Sequence, residues 1–94
     1  MLREPLGPAA ARKLIVSIVR GGGVRFSQHA RQEMRADDLT LEDCLRCLRA
    51  GTVEPAELER GTWRYRVRSR SMFVVVAFRA SDALVVITTW KLKR

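Results

Sequence analysis

Trp63-Arg64-Tyr65-Arg66-Val67-Arg68-Ser69-Arg70-Ser71-Met72-Phe73-Val74-Val75-Val76-Ala77-Phe78 is the stretch that decides the fold. Its first six residues alternate apolar and arginine. Successive side chains of an extended chain point to opposite faces, so Trp63, Tyr65 and Val67 share one face and Arg64, Arg66 and Arg68 the other. That is the pattern of a half-buried strand. Ser69–Ser71 reads as a tight turn. Met72–Phe78 is apolar on both faces and reads as a central strand. A second turn at Arg79–Ala83 leads into Leu84–Trp90, the third main strand, and the chain closes on the basic Lys91–Arg94. Three consecutive strands with short connections predict an antiparallel meander.

Upstream the hydrophobic period changes from two to nearly four. Pro8 suits the first turn of a helix, where its missing N–H costs nothing. Leu14, Ile15, Ile18 and Val19 then form one helical stripe, and Gly21-Gly22-Gly23 stops it. Val24–Phe26 is short and extended. Ser27 is placed to cap a second helix from Gln28 to about Arg35, which Asp37-Asp38 interrupts. Thr40, with Asp43 three residues on, predicts a capped third helix; Leu41, Cys44, Leu45 and Leu48 are its core face and Gly51 its end. Helices first and strands second predict one α+β domain over residues 1–94, with N-terminal helices packed on an antiparallel C-terminal β-sheet.

The chain has 94 residues, with 18 Lys plus Arg against 10 Asp plus Glu, a formal charge of +8 and a pI near 11.0. A hydrophobic fraction of 47% excludes a disordered basic tail. No apolar run approaches the roughly 18 residues of a membrane span, and no export signal is visible, so the expectation is a cytoplasmic protein with no membrane partner. Two cysteines do not make a disulfide scaffold. Charge is segregated: residues 1–36 carry +5, residues 37–59 carry −5, Arg60 adds +1, and residues 61–94 carry +7, summing to +8. A polyanion is therefore expected to face the strand half, while the acidic third helix suits a protein contact.

The Arg64/Arg66/Arg68 comb is the most informative local feature. Alternate residues on a strand stand about 7 Å apart, close to phosphate spacing along a single strand, and the guanidinium fork matches phosphate oxygens. Such a comb is also found as a solvated strand face; the surrounding charge decides for binding. His29 is the only histidine. In the first turn of a helix it faces the positive end of the helix dipole, which favours a neutral imidazole able to act as a base; its structural alternative is to cover the helix end. Cys44-Leu45-Arg46-Cys47 lies inside a helix rather than at its start, and zinc would lack ligands beyond His29, so these are packing cysteines and no metal or cofactor is expected. Glu54, Glu57 and Glu59 with Arg60 read as a solvated charged connector. Trp63, Tyr65 and Trp90 read as core aromatics, of which one at a basic sheet edge can stack on a base.

Phe26-Ser27-Gln28-His29-Ala30, followed by Met34, resembles the F-S-x-H-A-x-x-R-M opening of a family of small bacterial proteins grouped with RelE-like toxins. Lys13-Leu14-Ile15, Val24-Arg25 and the ending Val86-Ile87-Thr88-Thr89-Trp90-Lys91-Leu92-Lys93 are similar to the MqsR-type pattern, so the resemblance covers about Arg12 to Lys93. It implies a RelE-like α+β endoribonuclease fold, an mRNA target, no metal, a cognate antitoxin (a zinc-binding protein in some pairs) and an optional ribosome partner. The C-terminal lysine of the MqsR-type site matches Lys91. Its glutamine position falls on Arg64 and its tyrosine near Phe73, which has no hydroxyl; Arg60 is the nearest basic residue for the earlier lysine. The usual arginines of the opening motif are Glu33 and, nearby, Asp37.

The expected function is therefore the toxin of a type II toxin–antitoxin pair, an mRNA interferase cleaving RNA by metal-independent transesterification. The ribose 2′-OH would attack the adjacent phosphorus to leave a cyclic phosphate and a 5′-OH. Lys91 and Arg64 are assigned to the transition-state oxygens and His29 to the base. Arg66, Arg68, Arg79, Thr89, Tyr65 and Lys93 form the expected RNA-binding set. The alternatives are an RNA-binding module without cleavage and a protein-interaction domain.

Overall fold

The computed structural model describes residues 2–92. In chain order it contains α1 (Pro8–Gly21), β1 (Val24–Phe26), α2 (Gln28–Ala36), α3 (Leu41–Ala50), β2 (Thr52–Val53), β3 (Glu57–Glu59), β4 (Thr62–Arg68), β5 (Met72–Ala80) and β6 (Ala83–Lys91). The class is α+β, with the helices N-terminal and most strands C-terminal.

Local chemistry explains the boundaries. Pro8 opens α1, and Gly22 ends it in the left-handed conformation at φ 78°. The Ser27 hydroxyl accepts from the Ala30 N–H to cap α2. Thr40 and Asp43 close a reciprocal capping box on α3. Asp43 is held below the usual carboxylate range by the Thr40 backbone N–H and hydroxyl, against an opposing desolvation, with lesser help from Arg46 and Lys91.

The sheet runs β1-β6-β5-β4-β2, with β3 beside the first half of β4. β4, β5 and β6 form the expected antiparallel meander. The sheet as a whole is mixed, because β1 pairs β6 in parallel; the chain leaves β1 into a helix rather than a hairpin. The acidic connector is not a solvated loop: Glu57–Glu59 is a strand, joined to β4 through Arg60 (φ 52°) and Gly61 (φ 79°). Two consecutive positive φ values make a tight hairpin whose twist matches its strands.

The core fills one face of the sheet. Ala11, Ile15 and Ile18 from α1 and Cys44, Cys47 and Leu48 from α3 pack on Tyr65, Val67, Met72, Val74, Val76, Phe78, Leu84 and Val86. α2 lies along β6, pinned at both ends: Ser27 N–H donates to the Val86 carbonyl at 2.9 Å and Lys91 N–H to Asp37 Oδ2 at 3.0 Å. It thus covers the part of the β6 edge that the short β1 leaves open. Among the described residues no helix is long and apolar enough to cross a membrane. Both cysteines are free and buried; Cys44 lies on the predicted α3 stripe, whereas Cys47 is buried outside it and Leu41, placed on that stripe, is exposed.

One irregularity decides what lies on each face. Val75 pairs Thr88 but Val76 pairs Val86, so Ile87 is an extra residue in β6. Without it, strict alternation from Leu84 and Val86 would turn Trp90 into the core and Lys91 away from it. The bulge reverses that parity. Thr89, opposite Val74, is fully buried, and Trp90, opposite Phe73, emerges on the other face.

Candidate nucleic-acid interface

The strand pattern of β4 places Arg64, Arg66 and Arg68 on the face away from α1 and α3. Their surroundings differ from those expected. Arg64 is 3.5 Å from Glu59, Arg66 is 3.6 Å from Glu54 and 3.7 Å from Glu57, and Arg68 is 3.6 Å from Glu54. The comb is therefore matched by a row of carboxylates along the adjoining edge, because β3 and the residues after β2 run beside β4. These contacts are longer than a good charge-assisted hydrogen bond of about 2.7–2.9 Å. The Nε atoms of Arg64 and Arg66 are buried with no partner among the described residues.

The same face carries an aromatic pair. Phe73 and Trp90 sit directly opposite in the β5–β6 ladder, with ring centroids 4.8 Å apart and planes 27° from parallel. The Arg66 guanidinium lies over both rings, 5.5 Å from Phe73 and 5.6 Å from Trp90. Register puts Arg68, Phe73 and Trp90 in one cross-strand row. Exposed Arg25, on β1 opposite Val85, adds a cation to this face, and exposed Arg79 is the extra residue of a bulge near the end of β5.

Lys91 lies on the opposite side of the sheet, because it pairs with buried Met72. It borders a cleft of about 880 Å³ between α3, the β4–β5 turn and the end of β6. Arg46, Arg68, Arg70 and Lys91 line it with Asp38 and Asp43, a net charge of +2. The Ser69 and Ser71 hydroxyls and the apolar Met72 complete its wall. Asp43 is tied to the α3 cap and lies 4.0 Å from Arg46. Arg68 borders both this cleft and the open face.

The expected site is thus divided. Lys91 and Arg68 share the cleft; Arg64, Arg66 and Arg68 share the open face, and Arg79 lies in a bulge near the end of β5. His29 joins neither. It is exposed near the start of α2, 3.8 Å from Glu33, while Lys91 is at the helix's far end; eight residues of helix separate the two ends by about 12 Å. Two RNA-contact expectations are corrected by burial. Tyr65 is 0% exposed and packs on Phe78 with centroids 4.9 Å apart. Its hydroxyl accepts from the Leu6 N–H at 3.0 Å and donates to Glu4 at 3.0 Å, and burial pushes the phenol up. Thr89 is also 0% exposed, with its hydroxyl unpartnered among the described residues. Lys93 lies outside the described residues.

Sequence reasoning missed the Phe73–Trp90 pair, the glutamates facing the comb, and Arg46 and Arg70. The alternation Glu57-Leu58-Glu59 before Arg60-Gly61 carried a signal for the second, since glycine after a short alternating run marks a hairpin.

A family described as Domain of unknown function (DUF4258) matches residues 26–91. The chain belongs to this family. The match begins at the end of β1 and stops at Lys91, so it takes in both faces just described and leaves α1 outside. No curated protein and no solved structure matches the chain at a significant level.

Proposed function

We propose that this DUF4258 protein acts on RNA in the cytoplasm as the toxin of a toxin–antitoxin pair, cleaving by metal-independent transesterification in the cleft beside Lys91. The observation that supports this is the gathering of Lys91, Arg46, Arg68 and Arg70 around one cleft with the Ser69 and Ser71 hydroxyls. A phosphorane carries more negative charge than the phosphodiester it forms from, and cations fixed in a partly dry site stabilise that excess. Lys91 and Arg70 serve the transition-state oxygens. Arg68 holds a flanking phosphate at the mouth. His29 is too far along α2 to serve as the base. Of the two carboxylates in the cleft, Asp43 is committed to its cap, which leaves Asp38 to accept the 2′-OH proton, while the Lys91 ammonium gives a proton to the 5′-oxygen as its bond to phosphorus breaks. An acidic antitoxin would cover the same cations.

The test is purified protein on labelled RNA with EDTA present. Expected are fragments with cyclic-phosphate ends, with Lys91→Ala slowing cleavage by about 10²-fold or more, by analogy with losing an oxyanion donor. Cleavage by Lys91→Ala at the parental rate refutes the assignment. A second reading, RNA binding without turnover, is favoured by the position of His29; intact RNA with a salt-dependent mobility shift would establish it.

A further inference from the structure

We infer that the open face of the sheet is a stacking surface for bases of single-stranded RNA, centred on Phe73 and Trp90. This deepens the reading above, since it rests on RNA as the ligand, but it assigns a different face from the cleft. The two rings are half-buried, close to parallel, and lie on a face that neither α1 nor α3 covers. Arg66 extends across both. The two rings stack on each other, so each offers only its outer face, and a base of any identity can stack there because every base has a π-face.

The size of the apolar area selects the occupant. Val75 is 8% exposed and Ala77 0%, so the floor beside the rings is already closed by its neighbours. What remains is the half-buried outer faces of two rings beside the Arg66 guanidinium, with half-buried Val85 and Thr88 next to them. A stable protein contact, including one to a second copy of this chain, needs roughly 800 Å² from each partner; a nucleobase needs only the rings. Arg68 touches both this face and the cleft, so a strand stacked at Trp90 continues past Arg68 towards Lys91.

Electrostatics determines how such a strand is held. Arg64, Arg66 and Arg68 face Glu54, Glu57 and Glu59, a net charge of zero from six groups, and Arg25 adds one cation at the far edge of the sheet. The glutamates already neutralise most of the comb. Phosphate attraction on this face is therefore muted, and stacking supplies the affinity. Binding here is base-dependent and only weakly salt-dependent, the reverse of what the arginine comb predicts by itself.

The experiment uses Trp90 as its own reporter in a Trp63→Phe variant, titrated with a 2′-O-methyl oligouridylate pentamer and with an abasic sugar–phosphate chain of equal length. The pentamer should quench Trp90 to saturation. The abasic chain should bind about 5- to 150-fold more weakly, the factor for one stacked base, and Trp90→Leu should lose a similar factor for the pentamer. Where Trp63→Phe fails to fold, the difference in quenching between the parent and Trp90→Phe gives the same reading. Equal affinity for the abasic chain, or bound RNA that leaves Trp90 emission unchanged, overturns the inference. If such protein still cleaves unmodified RNA, the nuclease reading survives alone. Quenching of Trp90 by an RNA that stays intact supports the stacking face and overturns the nuclease. Trp90 emission that changes with protein concentration alone marks a contact between copies and also overturns the inference.

Discussion

Replacing Glu54 and Glu57 together by glutamine should strengthen RNA binding and make it more sensitive to salt. Glu54 spans Arg66 and Arg68, at 3.6 Å each, and Glu57 sits 3.7 Å from Arg66. Glutamine keeps the shape and removes the charge, leaving two guanidiniums without carboxylates beside them. Each arginine that then meets a phosphate on a single strand adds about 0.7 to the slope of log K against log salt, or about 1.4 for two. Between 50 and 200 mM salt that slope corresponds to an extra loss of about sevenfold relative to the parent. The cost to the fold is small. The pairs are long and Glu57 is 74% exposed, and exposed pairs are worth about 0.2–1 kcal/mol each. Anisotropy of a labelled, cleavage-resistant oligoribonucleotide across that salt range measures the slope. Parallel salt dependences for parent and variant would refute the argument that these glutamates neutralise the comb.

Four further expectations concern the core. Thr89→Val removes a buried hydroxyl with no partner among the described residues while keeping its shape, and should raise stability by roughly 1 kcal/mol in denaturant titration; a loss would mean the hydroxyl is satisfied. Gly23→Ala would drive a methyl into the Asp82 carbonyl and within 3.2 Å of Ile18 Cγ2, costing roughly 1–3 kcal/mol; an unchanged melting temperature would contradict that packing. Tyr65→Phe should cost roughly 1–3 kcal/mol by leaving the Leu6 N–H and Glu4 without the phenol, and should speed proteolysis of residues before Pro8 if the hydroxyl holds that segment. Cys44, pushed up to about 11 mainly by burial, ionises near 9.0 when unfolded, so the unfolded chain loses its proton first. Stability should therefore fall by roughly 2–3 kcal/mol as pH rises from about 9 to 11; a parent pH profile no steeper than that of Cys44→Ala would contradict this.

The fold was legible where local chemistry and period agreed. Pro8, Gly22, Ser27 and the Thr40–Asp43 box act within a few residues of their own position, and all serve the helix ends where the sequence places them. The meander was legible because alternation in Trp63–Arg68 and the apolar run Met72–Phe78 report burial directly. β3 was not, because Glu57–Glu59 has no buried residue and its glutamates match the composition of a solvated loop. Its place is set by pairing with β4, which is visible only once the partner is known. Parallel pairing of β1 with β6 is likewise a property of two segments some sixty residues apart.

The site was less legible for a related reason: it depends on parity, and parity is not local. Arg64, Arg66 and Arg68 share a face as predicted because β4 is regular. β6 contains one extra residue, Ile87, and everything after it changes sides. Thr89 therefore enters the core, Trp90 joins Phe73 and Arg66 outside, and Lys91 turns towards α3 and Arg70. A reading that counts alternate positions from Leu84 places each of these three on the wrong face. The charge argument fails in the same way. Residues 61–94 sum to +7 along the chain, but in space the glutamates of residues 54–59 lie against the arginines of β4. The excess positive charge is left at Arg25, at Arg79 and, on the other side of the sheet, in the cleft of Arg46, Arg70 and Lys91. An anionic strand is thus attracted most strongly to the ends of the sheet, while its middle offers aromatic rings rather than free charge. If RNA is the ligand, as proposed, electrostatic capture falls to the cleft and base contact to the open face, with Arg68 where the two meet.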